Sequence, residues 1–204
     1  MDKLIGRHKE QSILKNCLES GRSEFVVIYG RRRIGKTFLV RRFFNDTYDF
    51  SFVGKHEMPR EQQLADFAKA LQRYSSSEFA PELKNWTQAF DSLARLLEAK
   101  DANRKKVIFF DEMPWMDTPK SDFVSSLENF WNGWAAMRDD IVFVACGSAT
   151  SWMIDSLLHN QGGLFNRITR KIYLRPFRLY EVEQYMDEHH FNWSRYQIAQ
   201  CYMI

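Results

Sequence analysis

The chain has 204 residues, of which 45% are hydrophobic and 15% aromatic, so its composition excludes an intrinsically disordered protein. The formal net charge is only +3, which does not by itself argue for a nucleic-acid-binding protein. No apolar run approaches the roughly 20 residues of a membrane span, and the first residues lack the apolar core of a signal peptide. The three cysteines, Cys17, Cys146 and Cys201, are dispersed and lack metal-ligand spacing. We therefore expect a cytoplasmic globular domain with no membrane partner.

Predicted strands alternate with predicted helices along the whole chain. Short apolar runs predict strands at 25–29, 50–53, 107–110, 141–146 and 172–174. Helical periodicity predicts helices at 9–19, 38–44, 61–74, 86–100, 120–138, 151–159 and 178–190, with a further helical stretch after residue 194. This alternation predicts an α/β fold with a parallel sheet between helical layers.

A glycine-bounded loop joins the first predicted strand to the next helix and has the pattern G-x-x-x-x-G-K-[ST]. We expect the nucleotide to contact Gly30, Arg31, Arg32, Arg33, Ile34, Gly35, Lys36, Thr37 and Phe38. The backbone N–H groups of such a loop and the helix dipole attract a polyphosphate. In this interpretation Lys36 reaches the outer phosphates and the Thr37 hydroxyl is a ligand of Mg²⁺. The alternative is an ordinary turn with a solvent-facing lysine, which the flanking strand and helix disfavour.

An acidic pair follows the buried run 107–110. Asp111 lies where strand ends open onto a ligand crevice, so we expect it to hold Mg²⁺, largely through the water shell of the ion. Glu112 is the candidate group for orienting the attacking water. The pair favours ATP hydrolysis over a small-molecule kinase, which needs no activated water. A strand running into a polar turn is the alternative interpretation.

These segments resemble the AAA+ superfamily of P-loop ATPases, and within it the archaeal-type ATPases, which often carry a winged helix and a nuclease-like domain. The matching segments are Leu4-Ile5-Gly6-Arg7-His8-Lys9-Glu10, residues 29–37, residues 109–115, Cys146-Gly147-Ser148-Ala149 and Leu174-Arg175-Pro176-Phe177. The resemblance implies ATP or ADP with Mg²⁺ as ligands and a parallel sheet of strand order 5-1-4-3-2. It also places the segment Leu4–Arg7 near the adenine base.

Two further residues gain candidate roles from this resemblance. Ser148 matches the polar residue that faces the γ-phosphate, with Thr150 as the alternative, although either hydroxyl could instead cap the following helix. Arg167 matches an arginine that acts on the nucleotide of a neighbouring subunit, with Arg170 as the second candidate. A surface ion pair or an anchoring contact would explain either arginine equally simply. The trans role implies a homo-oligomer.

The resemblance divides the chain into an ATPase core at 1–177 and the start of a helical lid at 178–204, which looks truncated. It predicts an ATPase whose cycle drives or regulates a partner, with DNA or protein partners reached through C-terminal domains outside this chain. The alternative function is a nucleotide-dependent switch or scaffold with slow turnover. A second basic set around the last strand, formed by Arg167, Arg170, Lys171 and Arg175, leaves a DNA-associated role open.

Overall fold

The computed structural model describes residues 4–75, 77–101, 103–148, 150–158, 163–164 and 166–203. Within these residues five strands form one sheet: β1 (Glu24–Tyr29), β2 (Phe50–Val53), β3 (Lys106–Asp111), β4 (Ile141–Gly147) and β5 (Arg170–Tyr173). All neighbouring strands are parallel, in the order β2-β3-β4-β1-β5. The predicted α/β fold and the strand order 5-1-4-3-2 are therefore confirmed.

The helices cover both faces of the sheet. Their bounds are α1 (His8–Glu19), α2 (Lys36–Phe43), α3 (Arg60–Ser75), α4 (Trp86–Glu98), α5 (Phe123–Gly133), α6 (Thr150–Trp152), α7 (Leu179–Glu188) and α8 (Arg195–Met203). Short 3₁₀ turns occupy Met113–Met116 and Ala135–Met137, and Met153–Leu158 is a π-helical segment that directly follows α6.

The sheet separates two hydrophobic layers because successive side chains of a strand point to opposite faces. In β1, Phe25 and Val27 pack with the aromatic layer of α3, α4 and α5, whereas Val26 and Ile28 pack with α1 and α2. The same alternation continues through β3 and β4. The result is a three-layer α/β/α sandwich in which the central strands are buried on both faces.

Some helix boundaries differ from the sequence-based prediction. The helix predicted at 120–138 begins only at Phe123, because Lys120 adopts a left-handed conformation with φ of 62°. It ends at Gly133, and Trp134 breaks the helical geometry before the 3₁₀ turn. The segment predicted as one helix at 151–159 is α6 followed by the π-helical segment up to Leu158, and residue 159 lies outside the described residues.

The strand order brings three loop regions together at the carboxyl edge of the sheet. β4 lies between β1 and β3, with Tyr29 opposite Gly147 and Phe110 opposite Ala145. The loop after β1, the acidic pair at the end of β3 and Ser148 after β4 therefore meet at one edge, as expected for a ligand crevice in a parallel sheet.

Candidate functional site

The glycines of the loop between β1 and α2 adopt backbone conformations that other residues disfavour, and at Gly30 there is also no room for a side chain. Gly30 has a φ of 146°, and a Cβ atom there would lie 2.4 Å from the carbonyl oxygen of Leu174, at the end of β5. Gly35 is the N-cap of α2 and has a φ of 87°, a left-handed conformation that favours glycine. The loop geometry therefore depends on both glycines that the sequence pattern singled out.

Lys36 is the first residue of α2, and its side chain folds back over the loop. Its ammonium nitrogen donates to the carbonyl oxygens of Gly30 at 3.2 Å and Arg31 at 2.9 Å. Lys36 is only 6% exposed, so its charge is concentrated beside the start of α2, where helix N–H groups also favour an anion.

Asp111, the last residue of β3, is a buried carboxylate at the same edge. Burial raises its pKa, whereas hydrogen bonding from the Thr37 side chain and the Glu112 amide acts in the opposite direction. The Glu112 amide nitrogen is 3.0 Å from the Asp111 carboxylate. Thr37 and Asp111, the two predicted metal ligands, therefore lie close together.

Glu112 has a left-handed backbone with φ of 46°, which is uncommon for a non-glycine residue. Its carboxylate accepts two hydrogen bonds from Ser148, at 3.0 Å from the hydroxyl and 3.3 Å from the amide. The structure thus brings Ser148 to the site, but its hydroxyl contacts the predicted water-orienting group. The side chain of Thr150, the alternative to Ser148, lies outside the described residues.

A pocket of about 490 Å³ opens beside the loop and is enclosed by three chain segments. Its walls are formed by Leu4, Ile5, Arg7, Arg33, Ile34, Gly35, Phe38, Leu39, Pro176, Phe177, Tyr185 and His189. The segment Leu4–Arg7, which sequence analysis placed near a base, therefore contributes to this pocket together with α7. A largely apolar pocket of this volume is suited to a flat aromatic ligand.

Arg7 forms hydrogen bonds with the two other segments that line the pocket. Its guanidinium donates to the carbonyl oxygens of Arg175 at 2.7 Å and Ile34 at 3.4 Å, and lies 4.4 Å from the centre of the Phe177 ring. Burial lowers the pKa of Arg7, and the carboxylate of Glu181 opposes that effect. One arginine therefore joins the loop to the C-terminal wall of the pocket.

Glu181 is a contributor that the sequence analysis did not identify. One of its carboxylate oxygens accepts from the Arg7 amide at 2.9 Å, and the other accepts from the Arg178 amide at 2.9 Å. Both amides lie at helix N-termini, of α1 and α7, so a buried carboxylate there is stabilised. The bond to the Arg178 amide spans three positions, but no local pattern could reveal the bond to the Arg7 amide, because Arg7 and Glu181 are 174 positions apart.

The three arginines of the loop are exposed, and two of them have different surroundings. Arg33 has a left-handed φ of 65° and lines the pocket, whereas the Arg32 guanidinium lies 6.0 Å from the ring centre of Trp115. Phe38 is also exposed, with the Arg42 guanidinium 5.2 Å from its ring centre. Arg33 and Phe38 thus flank the pocket, and Arg32 points toward the 3₁₀ turn after the acidic pair.

Arg167 lies at the amino ends of the strands, opposite the end of the sheet that carries the site. It precedes β5, where the Thr169 amide bonds to the Phe25 carbonyl, so it lies near the amino end of β1. The phosphate-type loop follows the carboxyl end of β1, on the order of 15 Å away along the strand. Arg167 is exposed, whereas Arg170 lies 3.5 Å from the buried Glu24 carboxylate in an intramolecular ion pair. Neither arginine belongs to the site of its own chain.

The sequence profile of a known family, the ATPase domain predominantly from Archaea, matches residues 4–196. The chain belongs to this family. A curated relative, the uncharacterized protein MJECL04 of Methanocaldococcus jannaschii, is 24% identical over 189 residues. That alignment covers 90% of this chain and 38% of the relative, so this chain spans well under half the length of that protein.

Solved structures share the fold of this ATPase domain. The Walker-type ATPase PABY2304 of Pyrococcus abyssi superimposes with a TM-score of 0.68 at 18% identity, covering 97% of this chain and 62% of that one. The ORC1 protein of Aeropyrum pernix, determined in complex with DNA, gives a TM-score of 0.66 at 12% identity, covering 93% and 50%. These likenesses establish the fold, a parallel α/β/α sandwich that this chain shares with both proteins. Among the described residues no helix is both long and apolar enough to cross a membrane.

Proposed function

We propose that this domain binds Mg²⁺ and ATP at the carboxyl edge of its sheet, hydrolyses the ATP, and thereby drives or regulates a partner. The observation that carries the proposal is the convergence of Lys36, Asp111 and Glu112 at one edge, beside a pocket of about 490 Å³. The pocket accommodates the base, and the loop with the N-terminus of α2 accommodates the phosphates.

The residues present fit a magnesium ion held jointly with a nucleotide. Thr37 supplies a hydroxyl and Asp111 a carboxylate, and no cluster of three metal-ligating side chains occurs in the part of the chain that the structure describes. Mg²⁺ commonly takes one or two protein ligands and completes its shell with water and phosphate oxygens. When bound, it would neutralise charge on the outer phosphates.

The remaining roles belong to the side chains of this chain. Lys36 would exchange its bonds to the Gly30 and Arg31 carbonyls for bonds to phosphate oxygens, which are stronger acceptors because they are charged. Glu112 would orient the attacking water and accept its proton. Residues 178–204, which include α7 and α8, would act as the beginning of the lid over the base, since Tyr185 and His189 line the pocket.

The test combines ligand-induced stabilisation with phosphate release. ATP at about 100 times its Kd should stabilise the wild type by about 2.7 kcal/mol, a melting shift of roughly 5–10 °C, and Lys36→Ala should abolish that shift. Glu112→Gln should keep the shift and lower phosphate release by about 100-fold or more. Glu57→Gln, an exposed carboxylate outside the site, is the matched control. Equal shifts in wild type and Lys36→Ala would refute nucleotide binding here.

One contact supports a second candidate, a switch with slow turnover. The Ser148 hydroxyl is bonded to the carboxylate that would orient water, which keeps that carboxylate from acting as a free base. If this contact restrains turnover, Ser148→Ala should raise phosphate release at saturating ATP. A fall in phosphate release would instead favour the predicted role of Ser148 at the γ-phosphate.

Arg167 enters the proposal as a residue that acts across a subunit boundary, because its position leaves it far from the site of its own chain. Arg167→Ala should then leave nucleotide affinity nearly intact and make turnover independent of protein concentration. Mixing Arg167→Ala with Lys36→Ala should restore part of the activity, since each variant supplies what the other lacks. Concentration-independent wild-type turnover, together with a silent Arg167→Ala, would exclude this role.

A further inference from the structure

A second groove adjoins the nucleotide pocket, shares Arg7 and Pro176 with it, and runs along the outer side of β5, the last strand of the sheet among the described residues. Its volume is about 460 Å³. We call it the β5-edge groove and define it by Lys9, Lys171, Tyr173, Arg175, Arg178 and Tyr180. Lys9 lies in the first turn of α1 and Tyr180 in the first turn of α7. The other four residues belong to β5 and to the segment between β5 and α7.

The alternation of β5 places cations and an aromatic ring on the same face. Ile172 and Leu174 point into the hydrophobic layer of α1 and α2. Lys171, Tyr173 and Arg175 occupy the intervening positions and are exposed. Since side chains two residues apart on a strand share a face, the Tyr173 ring lies on the same face as Lys171 and Arg175, between the two cations.

The positive charges of the groove are not neutralised within the described residues. Arg170 is paired with Glu24 and Arg195 with Glu183, but Lys9, Lys171 and Arg175 form no ion pair in the described part of the chain. The groove lining contains five cationic residues, counting Arg7, and two carboxylates, Glu10 and Glu181. Five minus two gives +3 for this groove, equal to the net charge of the entire chain.

The deepest carboxylate does not offset that charge at the surface. Glu181 is 5% exposed, and its two oxygens accept the backbone amides of Arg7 and Arg178. Its charge is therefore directed inward, toward two helix N-termini. The rim of the groove is left with a positive potential that attracts an extended polyanion.

Two exposed tyrosines add a second kind of contact. Tyr173 is 47% exposed and Tyr180 is 48% exposed, which is a large fraction for aromatic side chains. The Arg175 guanidinium lies over the Tyr173 ring, 5.7 Å from its centre, and the Tyr29 ring lies 5.3 Å from the same ring at a tilt of 41°. A base that stacks on Tyr173 would take the place of this guanidinium, which is then free to contact a phosphate. Nucleobases stack on such rings while the adjacent cations contact the phosphates.

We propose that the β5-edge groove binds single-stranded DNA, through phosphate contacts from Lys9, Lys171, Arg175 and Arg178 and base stacking on Tyr173 and Tyr180. An acidic peptide added as a sixth strand fits less well, because β5 is only four residues long and carries an exposed lysine. Short edge strands with lysine discourage strand addition. An acidic peptide would also have no use for the two rings. The proposal goes beyond ATP hydrolysis and needs no nucleotide.

The experiment measures fluorescence anisotropy of a labelled 20-mer of thymidylate, with the 204-residue chain and no ATP, across a salt series. Four phosphate contacts to a single strand predict a slope of about −3 for the logarithm of the affinity against the logarithm of the salt concentration. The triple variant Lys9→Glu, Lys171→Glu, Arg175→Glu should bind about 30-fold more weakly or worse, with a slope near −1.

The matched control reverses three exposed cations on the α3 and α4 side, Arg73→Glu, Lys84→Glu and Arg95→Glu, which changes the net charge equally. It should leave affinity and slope nearly unchanged. Tyr173→Leu should weaken binding about five-fold or more at an unchanged slope, and Tyr173→Phe should restore it, because only the ring is needed for stacking.

Three results would overturn the proposal. They are equal losses in the groove and control triples, a polyglutamate peptide that displaces the oligonucleotide at comparable concentration, and tighter binding of a 20-base-pair duplex than of the single strand. Thermal unfolding of each variant separates loss of binding from loss of fold. Retention of the ATP-induced melting shift separates this groove from the nucleotide pocket.

Discussion

The pKa values of buried carboxylates shift in opposite directions at the two ends of the strands, which we call the amino edge and the carboxyl edge of the sheet. At the amino edge, Asp140 lies beside the Lys106 ammonium and the Arg138 guanidinium, and hydrogen bonding from Arg138 lowers its pKa to about 2. At the carboxyl edge, burial raises the pKa of Asp111, and its nearby partners do not compensate. The amino edge therefore stabilises the fold, whereas the carboxyl edge retains an electrostatic cost that a bound metal and nucleotide would relieve.

Asp49 shows that the amino-edge arrangement is general. Burial alone would raise the pKa of Asp49, but two hydrogen bonds from Arg104, at 2.6 and 2.8 Å, and one from the Val107 amide lower it. Glu24 has a lowered pKa for similar reasons, since hydrogen bonds from Thr169 and other neighbours outweigh its burial. Each of these carboxylates lies at the start of a strand and fixes that end of the sheet.

Removing the Asp140 carboxylate should produce the largest effect. Asp140→Ala leaves Lys106, whose side chain is 1% exposed, as an unpaired buried cation. We expect a loss of about 3–5 kcal/mol and a fall in melting temperature of roughly 10 °C, measured by calorimetry. Asp139→Ala, the exposed neighbour, should change stability by less than about 0.5 kcal/mol. Equal changes in the two variants would remove the distinction between the edges.

The free energy of unfolding should depend on pH through the Asp140 carboxylate at the amino edge. Because folding lowers the pKa of Asp140 from its ordinary value of 3.8 to about 2, its stabilisation is complete only well above pH 3.8 and is lost as the pH falls toward 2. The difference corresponds to about 2 kcal/mol. Urea unfolding between pH 5 and pH 3 should therefore be steeper in pH for the wild type than for Asp140→Asn. Parallel curves would show that this ion pair contributes no pH-dependent stability.

Asp111 should give a smaller effect of the opposite sign. Its native pKa lies above 3.8, so the folded state holds the proton more tightly, and that advantage is present at low pH and lost as the pH rises through the native pKa. At neutral pH, Asp111→Asn should therefore stabilise the ligand-free protein by about 0.5–1 kcal/mol. It should also weaken Mg²⁺-dependent ATP binding. Asp91→Asn, at an exposed position, is the control, and a destabilised Asp111→Asn would contradict the contrast.

Local sequence determined the strands of the sheet and the glycine-bounded loop at residues 30–37. Uninterrupted apolar runs such as 107–110 require burial on both faces, and glycine at positions 30 and 35 is required by backbone conformation, so both features follow from the residues themselves. The position of the acidic pair at 111–112 could also be predicted, because the pair directly follows the apolar run of β3. The strand order came from the family resemblance and is confirmed by the structure.

Only the tertiary structure decided which of these groups touch. The bond from Ser148 to Glu112, the bond from the Arg7 amide to Glu181 and the pairing of Lys106 with Asp140 join residues 34 to 174 positions apart. Such contacts depend on strand order and register, which bring distant side chains within about 3 Å of each other. The β5-edge groove has the same origin, since Lys9 and Lys171 become neighbours only when α1 folds back beside the last strand. A linear pattern encodes each element of this protein, whereas the charge of its surfaces emerges only when the elements are packed.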